Sequence, residues 1–314
     1  MRRWYFSLMK KELLADTRIL LARAGFYVSD VCTLRPSSFD FVARKDDMLL
    51  LVKVLNNIDA LSDDVAQELL FLATYLDGVP ILIGNRTSAG VLEDETLYYR
   101  YNVPIITYNT LQDVLQGVPP LVSAAPGGFY AHLDGEKIKE LRESKGISLG
   151  QLAREVGVSR RTIRMYEQGE RATIEVAEKI GAFLGDEVFQ PMDIRGFVRP
   201  CELPVQRDIQ DSVLNMLASL GLSIFPTARS PFHALSEFMD DLLLVGVNDR
   251  RLLDRARIVA NVSRVVEKQS VFFIESATQT HIAGIPVIGR KDLSRLHDPQ
   301  GLLEMIRERE QREG

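Results

Sequence analysis

The chain has 314 residues, enough for two or three domains with cores of their own. Apolar residues make up 46% and charged residues 26%, as in ordinary globular protein, and a net charge of −5 supplies no global basic field to draw in nucleic acid. Cys32 and Cys201 lie far apart without metal-ligand spacing, and the longest apolar runs are strand length, far short of a membrane span.

The opening "MRRWYFSLMKKELLADTR" gains lysines and acids within ten residues, unlike a secretory signal. From there the pattern predicts a helix ("KKELLADTRILLARAG"), strands "FYVSDV" and "SFDFVAR", and an apolar strand "MLLLVKVL". A helix ("DDVAQELLFLATYL"), strands "GVPILIG" and "NVPIITY", and a last helix "TLQDVLQG" complete an α/β domain over 1–117. The uncharged "GVPPLVSAAPGG" (117–128) predicts a linker, taken as 118–129.

A domain over 130–188 follows, in which 134–186 read as four or five short helices. "GEKIKELRESKG" ends at Gly146, a suitable C-cap, and Ser148 caps "LGQLAREVG". Gly157 allows a turn with positive φ, Ser159 caps "RRTIRMYEQG", and Thr173 caps "IEVAEKIGAFLG". Leu152, Ala153, Val156, Val158, Ile163 and Tyr166 fall where two crossed helices need a shared apolar surface. With Ile163 and Tyr166 inward, Arg160, Arg161, Arg164, Met165 and Gln168 turn outward together. Over 134–186 ten Lys/Arg face ten acids, so this arginine stripe is a local asymmetry in a neutral segment.

A second break, "QPMDIRGFVRPCELP", gives a linker at 189–203. The last domain, 204–314, runs "QDSVLNMLASLG", "LSIFP", "PFHALSEF", "DLLLVGV", a helix through "DRARIVANVSRVVE", then "SVFFIES", "GIPVIGR" and "KDLSRLHD". Its order matches that of 1–117, with "LLLVKV" answering "LLLVGV" and "NVPIIT" answering "GIPVIG". The expected fold is therefore multidomain, an all-α domain between two α/β domains, the second reading as a copy of the first.

The central segment resembles the helix-turn-helix of the phage Cro and lambda-repressor type. Ser148, Leu152, Ala153, Gly157, Val158, Ser159, Ile163, Glu167 and Gly169 carry the likeness. It departs from that pattern at Leu149, where the family often has glutamine, and after Gly169, where many members have proline. The resemblance implies double-stranded DNA as partner and contacts from Ser159, Arg160, Arg161, Thr162, Arg164, Met165 and Gln168. Ser148 and Gln151 would contribute from the preceding helix. Arginine suits bidentate contact with guanine O6 and N7, and such domains bind palindromes as dimers. The bland reading is a solvated face whose arginines support Glu167 and Glu170.

"SFDFVARKDDMLLLVKVL" resembles the core hairpin of the PD-(D/E)XK nuclease fold, especially archaeal Holliday-junction resolvases. Asp40 and Lys53 stand in the expected places and Glu12 is a further acid, but the middle acid of that metal-binding pattern is Leu51. In the last domain Asp40 aligns with His233, Lys53 with Gly246, and Leu244 again replaces the acid. Both copies therefore look like scaffolds that kept the fold, and Asp40 and Lys53 like a residual ion pair or a solvated strand end. His132, His233, His281 and His297 lack metal spacing and read as surface or hydrogen-bonded groups.

The whole resembles archaeal helix-turn-helix transcriptional regulators. It implies a cytoplasmic, non-enzymatic, sequence-specific DNA-binding protein, homodimeric through its α/β domains, with no metal, cofactor or membrane partner. Two alternatives stay open: a nuclease targeted by the helix-turn-helix, and an adaptor whose basic helix meets an acidic protein.

Overall fold

The computed structural model describes residues 2–198, 208–239, 241–277 and 279–311. Cys201 and the part of the second break between 199 and 207 lie outside the described residues. The first stretch holds α1 (Arg2–Arg23), β1 (Tyr27–Val28), β2 (Phe41–Lys45), β3 (Met48–Asn57), α2 (Asp63–Tyr75), β4 (Val79–Arg86), β5 (Thr96–Arg100), β6 (Val103–Ile106) and α3 (Tyr108–Leu115). Next come β7 (Val122–Ala125), β8 (Gly128–Ala131), α4 (Gly135–Ser144), α5 (Leu149–Val156), α6 (Arg160–Glu167), β9 (Ala172–Thr173) and α7 (Ile174–Leu184). The last stretch has α8 (Ser212–Ser219), β10 (Ser223–Pro226), β11 (Ala234–Phe238), β12 (Asp241–Val247) and α9 (Leu252–Val266). It ends with β13 (Gln269–Ile274), β14 (His281–Ile282), β15 (Ile285–Gly289), α10 (Arg290–Leu293) and α11 (Pro299–Gln311). No helix among the described residues is long and apolar enough to cross a membrane.

The chain forms two compact units, and their limits differ from the divisions expected at 117 and 204. One comprises Met1–Thr17, Val54–Leu61 and Ile81–Cys201; the other comprises Arg18–Lys53, Ser62–Pro80 and Glu202–Gly314.

In the first unit β4 and β6 are parallel, β5 is antiparallel to β6, and β7 adds in parallel to β5 through Thr96↔Val122. The stretch expected as a linker, 118–129, is thus largely a hairpin. Pro126 and Gly127 form its two-residue loop between the paired Ala125 and Gly128, and Gly127 takes φ +96°. β8 then pairs with β9 through Tyr130↔Thr173, so the helix-turn-helix is not purely helical. A bridge between Leu133 and Phe189 closes its two ends. The second expected linker is anchored at two points among its described residues. Ile194 and Phe197 are buried on a 3-10 turn, and the Tyr99 hydroxyl donates to the Phe197 carbonyl at 2.9 Å.

In the second unit β1, β2 and β3 form an antiparallel meander, as do β10, β11 and β12. β13 and β15 extend the latter sheet in parallel, and β14 returns antiparallel at its edge. The runs "LLLV" of β3 and β12 are buried on both faces in their centres, which is why they lack polar alternation. The registers agree: the Asp40 N–H donates to the Val52 carbonyl at 2.8 Å, and the His233 N–H to the Val245 carbonyl at 2.7 Å. Residues 2–115 and 212–293 share the order helix, three strands, helix, three strands, helix. Sequence patterning omitted β5, β14 and α11, which are short, edge-placed or highly charged.

The two meanders and their helices engage reciprocally within this unit. Buried Glu68 on α2 accepts from the N–H groups of Ala228 (3.0 Å) and Arg229 (2.5 Å) and from the Ser230 hydroxyl (2.9 Å). In the opposite sense, Arg44 on β2 donates to the carbonyls of Val265 (2.7 Å) and Val266 (3.1 Å) at the C-terminus of α9. Glu68 and Arg44 thus tie the two meanders together within one chain. Glu68→Ala leaves these donors without their acceptor and is expected to destabilise the fold by about 2–4 kcal/mol. A lowered denaturation midpoint, with a smaller loss in Glu68→Gln, checks this.

Candidate nucleic-acid interface

α4 to α7 pack around Ile138, Leu152, Ala153, Val156, Ile163, Tyr166, Ala177, Ile180 and Leu184. Local signals in the sequence set each helix start. Asp134 accepts from the Lys137 N–H at 2.9 Å. Ser148 and Gln151 form a reciprocal capping box, with bonds of 3.2 and 2.8 Å. Ser159 accepts from the Thr162 N–H at 3.1 Å and bonds its hydroxyl at 2.8 Å. Gly157 ends α5 in the left-handed region at φ +81°. Thr173 occupies the N-cap position of α7 but makes no side-chain cap bond.

α6 is fixed from behind by a pair that sequence reasoning passed over. Arg142 on α4 donates through Nε to the Glu167 carboxylate at 2.6 Å, and both side chains are only 9% exposed. It also donates to the Ile147 carbonyl at 3.1 Å. The bond to Glu167, only partly opposed by burial, raises the Arg142 pKa still further. Glu167 is thus paired with an arginine of another helix. Close approach completes the joint, since a Cβ on Gly135 would lie 2.6 Å from the carbonyl oxygens of Tyr166 and Glu167. The clue in the sequence was Glu167 itself, an acid on an otherwise basic helix.

On the outward side, Ser159, Arg160, Arg161, Arg164, Met165 and Gln168 are exposed and Thr162 is half-buried. Ser148 and Gln151 are exposed too, but commit polar atoms to capping. Gly150 sits against Arg160, where a Cβ would come within 2.9 Å of the guanidinium. Ser148, Leu149, Gly150, Arg160, Arg161 and Arg164 line a depression of about 440 Å³ beside the start of α5. Three guanidiniums beside a helix N-terminus form a strongly positive spot that favours an anion.

In the second unit Asp40 is fully buried, with Arg35 at 3.1 Å and Lys53 at 3.7 Å. Lys53 also donates to the Ser37 carbonyl at 2.6 Å. The expected ion pair is present, but it is interior and not a solvated strand end. Leu51 is buried and offers no ligand, so this centre does not fit the divalent metal of the nuclease pattern. Glu12 is exposed on α1. At the matching register of the last domain, Gly246 leaves room for Phe272, whose ring would lie 2.2 Å from a Cβ, and Leu244 is buried.

His233 accepts at Nδ1 from the Val247 N–H at 3.0 Å. Burial, then Arg255, push its pKa down to about 4, against the opposing pull of Asp249. His132 bonds Ser123 (2.9 Å), His281 bonds the Arg309 carbonyl (2.8 Å), and His297 is exposed.

Arg142→Ala leaves Glu167 buried without this partner and is expected to cost about 3–5 kcal/mol, whereas Arg142→Met with Glu167→Leu costs far less. Thermal denaturation of the single and double variants separates the two cases. The unfolded chain takes up a proton on His233 below about pH 6.5, while the folded chain does so only near pH 4. Stability is therefore lost as pH falls through that window, by up to about 3 kcal/mol. His233→Gln should flatten the slope in pH-dependent urea titrations.

The profile of the PD-(D/E)XK superfamily domain matches residues 10–120, and that of a helix-turn-helix matches residues 138–187. A "Putative HTH-type transcriptional regulatory protein" of Methanosarcina acetivorans is 40% identical over 96% of this chain and 98% of its own length. One of the same name from Archaeoglobus fulgidus is 32% identical over 96% and 99%. Among solved structures, a chain of a SinR protein/SinI protein complex is 25% identical, covering 27% of this chain and 75% of that one, with a TM-score of 0.16.

Proposed function

The chain belongs to this archaeal family of HTH-type regulatory proteins, and we propose that it is a sequence-specific transcriptional regulator that reads the DNA major groove with α6. The observation that carries the reading is the outward face of α6. Arg160, Arg161, Arg164 and Met165 are exposed together on a helix whose inward face is locked by Ile163, Tyr166 and Glu167. Arg160 and Arg161 on the first turn are positioned for base edges, with Arg164, Met165 and Gln168 one turn on. Ser148 lines the positive depression, and with Gln151, Ser159 and Thr162, at the starts of α5 and α6, suits backbone phosphates.

The matched registers and common element order support a duplication of the α/β domain, with the helix-turn-helix as a third domain near 130–188. The described residues hold one helix-turn-helix per chain, so a palindromic operator requires two chains. Because α2 and α9 face partners within their own chain, dimerisation would use other surfaces. A chromosomal operator implies a cytoplasmic protein.

The α/β domains act here as scaffold rather than nuclease. Leu51 and Leu244 replace the metal-binding acid in both, and Asp40 is buried under Arg35 and Lys53. Incubation with duplex or branched DNA and Mg²⁺ or Mn²⁺ should leave it intact; cleavage abolished by Asp40→Ala would instead establish a nuclease.

Selection from a random DNA pool at near-physiological salt tests the main reading. Wild type should enrich a palindromic motif, and Arg160→Ala/Arg161→Ala should lose it, each lost guanine contact costing about 1–3 kcal/mol. Binding without an enriched motif, fading only with salt, would favour the adaptor and overturn the regulator.

A further inference from the structure

A second concave site lies within the second unit, away from α6 in sequence. Its cavity of about 200 Å³ is lined by Leu34, Arg35 and Pro36 from the loop before β2, by residues of the loop before β11, and by the turn into α9. The polar groups that matter are Arg35, His233, Asp249, Arg251 and Arg255.

Their charges decide what fits. Arg255 places Nη2 2.6 Å and Nε 2.7 Å from Asp249, cancelling that carboxylate. Its Nη1 donates to the Ser230 (3.2 Å) and Pro231 (2.7 Å) carbonyls, which fixes the wall. Arg35 donates Nη1 to the carbonyls of Cys32 (2.8 Å) and Leu34 (3.1 Å) and Nη2 to buried Asp40 (3.1 Å), yet half its side chain remains exposed and Nε and one Nη2 hydrogen are left for a ligand. Arg251 is exposed at the rim. His233 uses Nδ1 as an acceptor, so its proton resides on Nε2, and that nitrogen is a donor 3.8 Å from Asp249. The position that holds a carboxylate in the first meander, Asp40, holds this neutral donor in the second. Asp40 is met by Lys53 as well as Arg35, Asp249 by Arg255, and buried Glu68 by donors of Ala228 and Ser230, so exposed Arg251 is the cation that the hollow offers at its rim.

We propose that this cavity binds a small oxyanion, namely phosphate or a phosphate group carrying few other atoms. The volume falls below the roughly 300–1,000 Å³ of pockets for drug-sized ligands, which argues against a whole nucleotide. Arg35 and Arg251 supply charge-assisted donors and His233 Nε2 a neutral one. Such a ligand would be an effector held beside His233, which occupies in the second meander the ladder position of Asp40 in the first.

Isothermal titration of the full-length protein with inorganic phosphate and with glycerol phosphate tests this, using chloride at matched ionic strength as reference. Saturable one-to-one binding is expected, weakened about tenfold or more in Arg251→Ala and abolished in Arg251→Glu, with thermal stability in the absence of ligand unchanged. A heat no different from that of chloride, or affinity unaffected by Arg251→Ala, overturns the proposal. Random-sequence duplex DNA provides a further arm, run on the Arg160→Ala/Arg161→Ala protein. If the duplex displaces phosphate, the cavity is a DNA-backbone contact and the proposal falls. Titration without DNA leaves the outcome independent of whether α6 reads a sequence.

Discussion

The arrangement of the helix-turn-helix hinges on one buried ion pair, Arg142 with Glu167. A short helix such as α6, eight residues long, has little stability of its own. Its inward apolar positions give adhesion, but Ile163 and Tyr166 alone would allow it to rock or slide. A charged bond at 2.6 Å between two nearly inaccessible side chains fixes both rotation and height. Gly135 lets α4 come close enough for that bond to form. The exposure of Arg161, Arg164 and Met165 on one side is then a consequence of what is held on the other.

The second unit uses the same device with a different donor set. Glu68 is held by two backbone N–H groups and a hydroxyl, and Arg44 in return closes the C-terminal carbonyls of α9. Both are cases of a charge satisfied by groups that cannot move away easily. Such satisfaction is what makes a buried charge compatible with stability.

Much of the helix-turn-helix was legible in the sequence because its determinants are local. Ser148, Ser159 and Gly157 act within three or four residues of themselves, and the apolar spacing that orients α6 is set within eight. What stayed hidden involves distant partners. Arg142 and Glu167 are separated by 25 positions, and Glu68 from its donor loop by about 160. On an amphipathic helix such an acid looks like a solvated residue. The hairpin of β7 and β8 was missed differently. Pro, Gly and Ala suggest a linker by composition, but "PGG" flanked by small residues is also the chemistry of a tight turn, and pairing with β5 decides between them. The paired meanders were visible as repeated patterns, whereas the correspondence of Asp40 and His233 gained meaning only once both stood at the same ladder position.

Neither compact unit corresponds to an uninterrupted piece of gene. The chain changes unit after Thr17, Lys53, Leu61, Pro80 and Cys201, twice within a strand and once inside α1. A truncation placed by sequence motifs, say one isolating residues 1–117, would sever both cores and expose strand edges. Deletion mapping is thus a poor instrument for this protein. Roles must be apportioned by point substitution in the intact polypeptide, and any recombination that shuffles the helix-turn-helix between relatives would have to carry its surrounding strands with it.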